Sequence, residues 1–147
     1  KLEPFNIPEI KMSINAYRVQ TVPDTYAPFK ISQAVEVGDL IFVSGQASIG
    51  KDGHVIGAGN FDEQAACTFR NLEWVLKAAD SDLSKVIKVN IYLTNMSNFS
   101  KIIDLREKYF TSPYPADTIV EVSALALPEL EIEIEAIALK DGMFNDT

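Results

Sequence analysis

The sequence predicts an α+β two-layer sandwich, a mainly antiparallel sheet with two helices on one face. Three observations predict it. Alternating apolar and polar residues mark strands in 32–46, which breaks at Gly38-Asp39, and in 87–93, 118–124 and 130–139. Two other stretches repeat apolar residues at three- and four-residue steps, from Asn60 or Asp62 to Ala79 and from Ser97 or Asn98 to Phe110. The resulting order is strand, strand, helix, strand, helix, strand, strand, with no internal repeat, low-complexity tract or linker between them.

Each element has a local cause. Pro4, Pro8, Pro23 and Pro28 surround the alternating Tyr17–Val22. Proline removes a ladder donor, so residues 1–26 are expected as an extended N-terminal arm with one short strand, and 27–147 as a single domain. Gly38-Asp39 tolerates the positive φ of a hairpin turn, with strands on either side and the second running Leu40–Ser44. The first helix opens with Asp62 and Glu63, acids that suit a helix N-terminus, and presents Ala65, Phe69, Leu72, Leu76 and Ala79 to the sheet. Ile87, Val89, Ile91 and Leu93 alternate with Lys88, Asn90 and Tyr92 in a half-buried strand. The second helix is expected to bury Phe99, Ile102, Ile103, Tyr109 and Phe110 and to end before Pro113. Thr118–Ala124 and Leu130–Leu139 complete the sheet, the last with Glu131, Glu133 and Glu135 on one face.

Composition excludes several classes of function. A chain of 147 residues suits one domain, and 47% hydrophobic residues suffice for a packed core. A net charge of −8 with 13 scattered Lys and Arg opposes binding to a phosphate backbone, so no nucleic-acid partner is expected. Cys67 is the single cysteine, which leaves no intrachain disulfide or thiolate metal cluster and fits a reducing, cytoplasmic setting. No apolar run reaches the roughly 20 residues of a membrane span, and the first residues lack the apolar core of a secretion signal. Gly50, Gly53, Gly57 and Gly59 match neither the dinucleotide nor the P-loop spacing. His54 has no second histidine or cysteine to build a metal site with, so no metal and no cofactor are expected. Cys67, among Ala65, Ala66 and Phe69, reads as a buried inert thiol.

At GDLIFVSGQ (38–46), FSKIIDLREKYF (99–110), PYPADTIVEVSAL (113–125) and EIEIEAIAL (131–139) the chain resembles the RidA family, also called YjgF or L-PSP, over about residues 27–140. The resemblance implies a chorismate-mutase-like fold and a homotrimer whose sheets form a central barrel, with a ligand cleft at each subunit interface. It also implies hydrolysis of reactive enamines and imines, such as 2-aminoacrylate and its imine, to keto acids and ammonia. Glu133 matches the glutamate that positions or activates water in the family, and Ser44-Gly45 matches the serine-glycine that lines the pocket. The family's cleft tyrosine falls on Phe29 or Ile31, neither of which carries a hydroxyl, because this segment is two residues longer than usual. Ser97, with Asn98 beside it, takes the place of a family asparagine and serves equally as a helix cap.

The departure lies at Asp117. Deaminating members carry arginine after Pro-Ala, and its planar fork grips the substrate carboxylate. Two like charges ~4 Å apart in an effective dielectric of about 20 cost about 4 kcal/mol, so a carboxylate here is expected to repel a 2-imino acid instead of anchoring it. The cysteine two residues on is replaced by Ile119. Of the arginines that could compensate, Arg70 and Arg106 are expected on helices away from the cleft, and Arg18 in the arm, within reach of a neighbour. If Asp117 lay beside Glu133, at least one of the two acids would titrate high.

Two functions are compatible with these residues. One is hydrolysis of a neutral or cationic imine, enamine or related electrophile, with Asp117 pairing with a positive group and Glu133 directing water onto the C=N carbon. The other is a non-catalytic ligand-binding or regulatory trimer of the same fold. The ribonuclease label carried by some members is opposed by the acidic charge.

Overall fold

A computed structural model describes residues 12–147, so Pro4, Pro8 and the start of the expected arm lie outside the described residues. Six strands form one sheet: β1 (Ala16–Val19), β2 (Ala34–Val37), β3 (Leu40–Ala47), β4 (Val86–Leu93), β5 (Ala116–Glu121) and β6 (Ile132–Leu139). They lie in the order β1-β2-β3-β6-β4-β5. β4 and β5 run parallel, joined through helix α2 (Phe99–Tyr109), and every other pair is antiparallel. Helix α1 (Phe61–Ala78) packs on β3 and β6 at the centre of one face. The expected α+β sandwich is the fold observed.

Several strand ends differ from expectation. β1 stops at Val19 rather than Val22, because Thr21 turns its hydroxyl onto the Pro23 carbonyl at 2.8 Å and Pro23 has no N–H to offer a ladder. β5 begins at Ala116 and ends at Glu121, two residues earlier at its start than expected, since the parallel pairing with β4 starts at Lys88↔Ala116. In β4 a register shift between Val86 and Lys88 puts Val86 in the core and leaves Ile87 only partly covered.

The core follows the helical and strand periods. Ala65, Phe69, Leu72, Leu76 and Ala79 of the α1 stripe are buried against Ile41, Val89, Ile91, Ile132 and Ile134. Asn60 caps α1 by accepting the Glu63 N–H at 3.1 Å. Only Ile102 of the expected α2 face is fully buried within the helix, with Phe110 just beyond its end, while Phe99 and Ile103 stand exposed. Helix α2 meets the core through Ile102 and through its C-terminal end, where Tyr109 stacks on Phe69 with centroids 4.2 Å apart and Phe110 meets the same ring edge-on at 5.6 Å.

Gln64 shows how the chain crossing from β5 to β6 is held. Its amide donates to the Glu129 carbonyl at 2.7 Å and the Gly57 carbonyl at 3.2 Å, and its oxygen accepts the Glu131 N–H at 2.9 Å. The side chain is fully buried, so these groups have no water to replace it. Gln64→Ala is expected to cost about 1–3 kcal/mol in urea unfolding, because it strands buried backbone groups. A loss below about 0.5 kcal/mol would show that water reaches them.

Candidate functional site

The site begins with an irregularity in β3. That strand pairs with β6 as Val43↔Ala136 and then as Gln46↔Ile134, so a bulge falls at Ser44-Gly45. Bulges bend a strand and re-aim its side chains. Gly45 is required here by space: a Cβ at this position would lie 1.9 Å from Glu133 Oε1 and 2.9 Å from its Cδ. The missing side chain is the room in which the Glu133 carboxyl sits.

Around this point opens a cleft of about 580 Å³. Ser44, Gly45 and Glu133 form its floor, Trp74 comes from α1, and Phe29 and Ile31 reach in from the segment before β2. Of the sequence-predicted residues, Glu133, Ser44, Gly45, Phe29 and Ile31 are therefore brought together, and both candidates for the tyrosine position line the cleft. The Ser44 hydroxyl is engaged, donating to the Ser32 carbonyl at 2.6 Å.

The absence of a cleft hydroxyl, expected from Phe29 and Ile31, is corrected by Tyr26. Its hydroxyl donates to the Gly45 carbonyl at 2.6 Å, on the bulge itself. A chain of amides holds the segment in place: Gln46 donates to Gln33 at 3.1 Å, and Gln33 donates to Thr25 at 2.8 Å. Burial, and then the nearby Glu133, push the Tyr26 phenol up to about 12, so it keeps its proton. Tyr26 lies just before the segment 27–35 that was recognised as two residues too long, three residues from Phe29 and five from Ile31.

Glu133 is the half-buried acid of the cleft. Burial raises its carboxyl above the ordinary glutamate range, and the Glu135 charge adds to the shift. The neighbouring acid is thus Glu135 and not Asp117. Glu135 also borders the cleft, held by hydrogen bonds from Asn90 at 2.8 Å and from the Tyr92 hydroxyl. A carboxyl shifted upward by burial takes up and returns a proton nearer neutrality than an exposed one.

Asp117, Ile119 and Ser97 lie elsewhere. β5 is the far edge of the sheet, separated from β6 by β4, and Ile119 packs at the margin of the core. Ser97 is exposed in the short turn before α2, where its N–H donates to Asn95. Asp117 is not bare: Arg106 Nε of α2 donates to its Oδ2 at 2.7 Å, with both side chains largely covered. Arg106 was expected on a helix away from the cleft; its pairing offsets the charge of Asp117, and the guanidinium so committed is not a free fork for a substrate carboxylate. The other oxygen, Oδ1, is buried without a hydrogen-bond partner. Arg18 pairs with Asp24 at 3.5 Å within its own chain. His54 is exposed beside Asp52, and Cys67 is buried. Among the described residues no group of three His, Cys, Asp or Glu is placed to hold a metal ion, and no helix is long and apolar enough to cross a membrane.

One mixed sheet with two helices is an α+β sandwich, the architecture of the Rid-family structures that this chain matches. The family model described as Endoribonuclease L-PSP matches residues 20–140, and the chain belongs to this family, known also as RidA or YjgF. The RutC family protein y4sK of Sinorhizobium fredii is 39% identical over 115 residues, covering 78% of this chain and 89% of the relative. A 2-iminobutanoate/2-iminopropanoate deaminase of Dermatophagoides farinae is 33% identical over 117 residues, covering 80% and 89%. The solved structure of YyfA from Yersinia pestis, a Rid-family protein of unknown function, is 31% identical with a TM-score of 0.76, covering 85% of this chain and 99% of that one.

Proposed function

We propose that this protein hydrolyses a reactive imine or enamine that is neutral or cationic, rather than a 2-imino acid, in a cleft completed by a neighbouring subunit of a homotrimer. The observation that carries the reading is Glu133, a carboxyl raised by burial and seated in the space left by Gly45. Glu133 takes a proton from water as it adds to the C=N carbon and returns it to the departing nitrogen; the Tyr26 hydroxyl, held on Gly45, keeps the floor of the cleft rigid. A relative bearing the name of an imine deaminase supports the reaction class. Asp117, Ile119 and Ser97 enter the site only across a subunit boundary, because within one chain the first two lie on the edge strand β5 and Ser97 in the turn before α2, outside the cleft lining.

The test is ammonia release from 2-aminoacrylate generated in place from serine or cysteine, against a control without protein. Wild type is expected to match the control. Asp117→Arg alone would set two guanidiniums side by side, so the gain is sought in Asp117→Arg combined with Arg106→Gln, with the oligomer checked by light scattering. Release by wild type above control would overturn the exclusion of 2-imino acids. A second reading, a ligand-binding trimer without turnover, is favoured by the engagement of Asp117 with Arg106 where deaminating relatives have a free arginine. It predicts saturable binding with no release from any imine.

A further inference from the structure

The walls of the cleft are more informative about the ligand than its floor. They are built mainly from apolar side chains, with Phe29, Ile31, Trp74, Leu127 and Leu130 among them. Phe29 and Ile31 are 72% and 46% exposed at the rim, large apolar surfaces that solvent alone would not favour. A space of about 580 Å³ lies in the range of pockets that enclose ligands much larger than a three-carbon imine. The charges that one chain brings to the cleft are equally one-sided. Glu133 and Glu135 border the cleft, and Lys51, the one basic side chain among the described residues that line it, places its ammonium 4.8 Å from the centre of the Trp74 ring. That ammonium is drawn to the ring face at the mouth and away from the floor.

We propose that the cleft selects a protonated imine carrying a bulky aromatic or branched apolar group, with its nitrogen at Glu133 and its apolar body against Trp74, Phe29 and Leu127. This deepens the proposed hydrolysis and rests on that reading for the chemical step. In that step water adds to the carbon of R–CH=NH2+, the C–N bond breaks, and the products are R–CHO and NH4+, with no electron transfer. Such a substrate comes from the two-electron oxidation of a primary amine that bears no α-carboxylate.

Trp74 is the single tryptophan of the chain and lines the cleft, so its fluorescence reports occupancy directly. The probes are 2-phenylethylamine, a stable analogue of the cation, 3-phenylpropanoate, which keeps the ring and reverses the charge, and ethylamine, which keeps the charge and lacks the ring. Saturable quenching is expected with 2-phenylethylamine, at an affinity about tenfold or more above that of either control, the ring contributing by burial and the amine by charge. Glu133→Gln is expected to weaken it by about tenfold. Binding of 3-phenylpropanoate or ethylamine as tightly as 2-phenylethylamine would overturn the proposal, as would no response to any probe by fluorescence and calorimetry. Selective binding of 2-phenylethylamine without hydrolysis of its imine would uphold the selectivity and sink the hydrolase reading.

Discussion

Replacing Glu133 by glutamine is expected to lower imine turnover by about 10²–10⁴-fold, the usual contribution of a positioned acid–base group, with the fold intact. The amide has the shape of the carboxyl and fits the same space beside Gly45, but it cannot take a proton from water. The variant should also differ from wild type in how its stability depends on pH. Burial and Glu135 hold the Glu133 carboxyl above its unfolded value, so the folded state binds this proton more tightly. The contribution of Glu133 is therefore favourable at acidic pH and is lost as pH rises through its raised titration. Glu133→Gln should melt higher than wild type above neutrality and lose that advantage near pH 4. A variant that retains turnover would remove Glu133 from the chemistry. One that melts lower at every pH would make it a structural acid.

Gly45→Ala should come close to the same loss of activity by a different route. Its Cβ would arrive 1.9 Å from Glu133 Oε1, and the atom that must yield is the end of a flexible side chain, not backbone. The fold is therefore expected to survive while the carboxyl swings away. A displacement of about 1 Å of a reacting group can cost about 10²-fold in rate. The two substitutions act on one group, so Gly45→Ala combined with Glu133→Gln should be no worse than Glu133→Gln alone. Normal turnover in Gly45→Ala would show that the carboxyl works from another rotamer, and additive losses would mean that Gly45 acts apart from Glu133.

The parts of the fold legible in the sequence were those set by short-range periodicity. The α1 stripe from Ala65 to Ala79 and the strict alternation of β6 each repeat over several turns or pleats, so one misplaced residue does not hide them. Helix α2 was read with too wide a face. Its apolar residues suggested contact along its length, but the stacking of Tyr109 and Phe110 on Phe69 anchors one end and leaves Phe99 and Ile103 exposed. Neither the β3 bulge nor the β4 register shift could be read from period, because each adds one residue against a partner distant in sequence.

The same division runs through the site. Residue identity in matched motifs picked out Glu133, Ser44 and Gly45, and the length of the segment before β2 kept Phe29 and Ile31 both in play; the cleft admits both. Tyr26 escaped notice because its partner, the Gly45 carbonyl, is 19 residues away and is a backbone atom that no side-chain pattern announces. Asp117 was recognised as the anomaly, but its meaning depended on Arg106. Period and residue chemistry settled the layers and the helix stripes, and the family resemblance singled out Glu133. Packing decided which hydroxyl meets the bulge, which cation neutralises Asp117 and which carboxyl raises Glu133. Those are distances between groups remote along the chain, and a linear pattern carries no distance beyond its own local repeat.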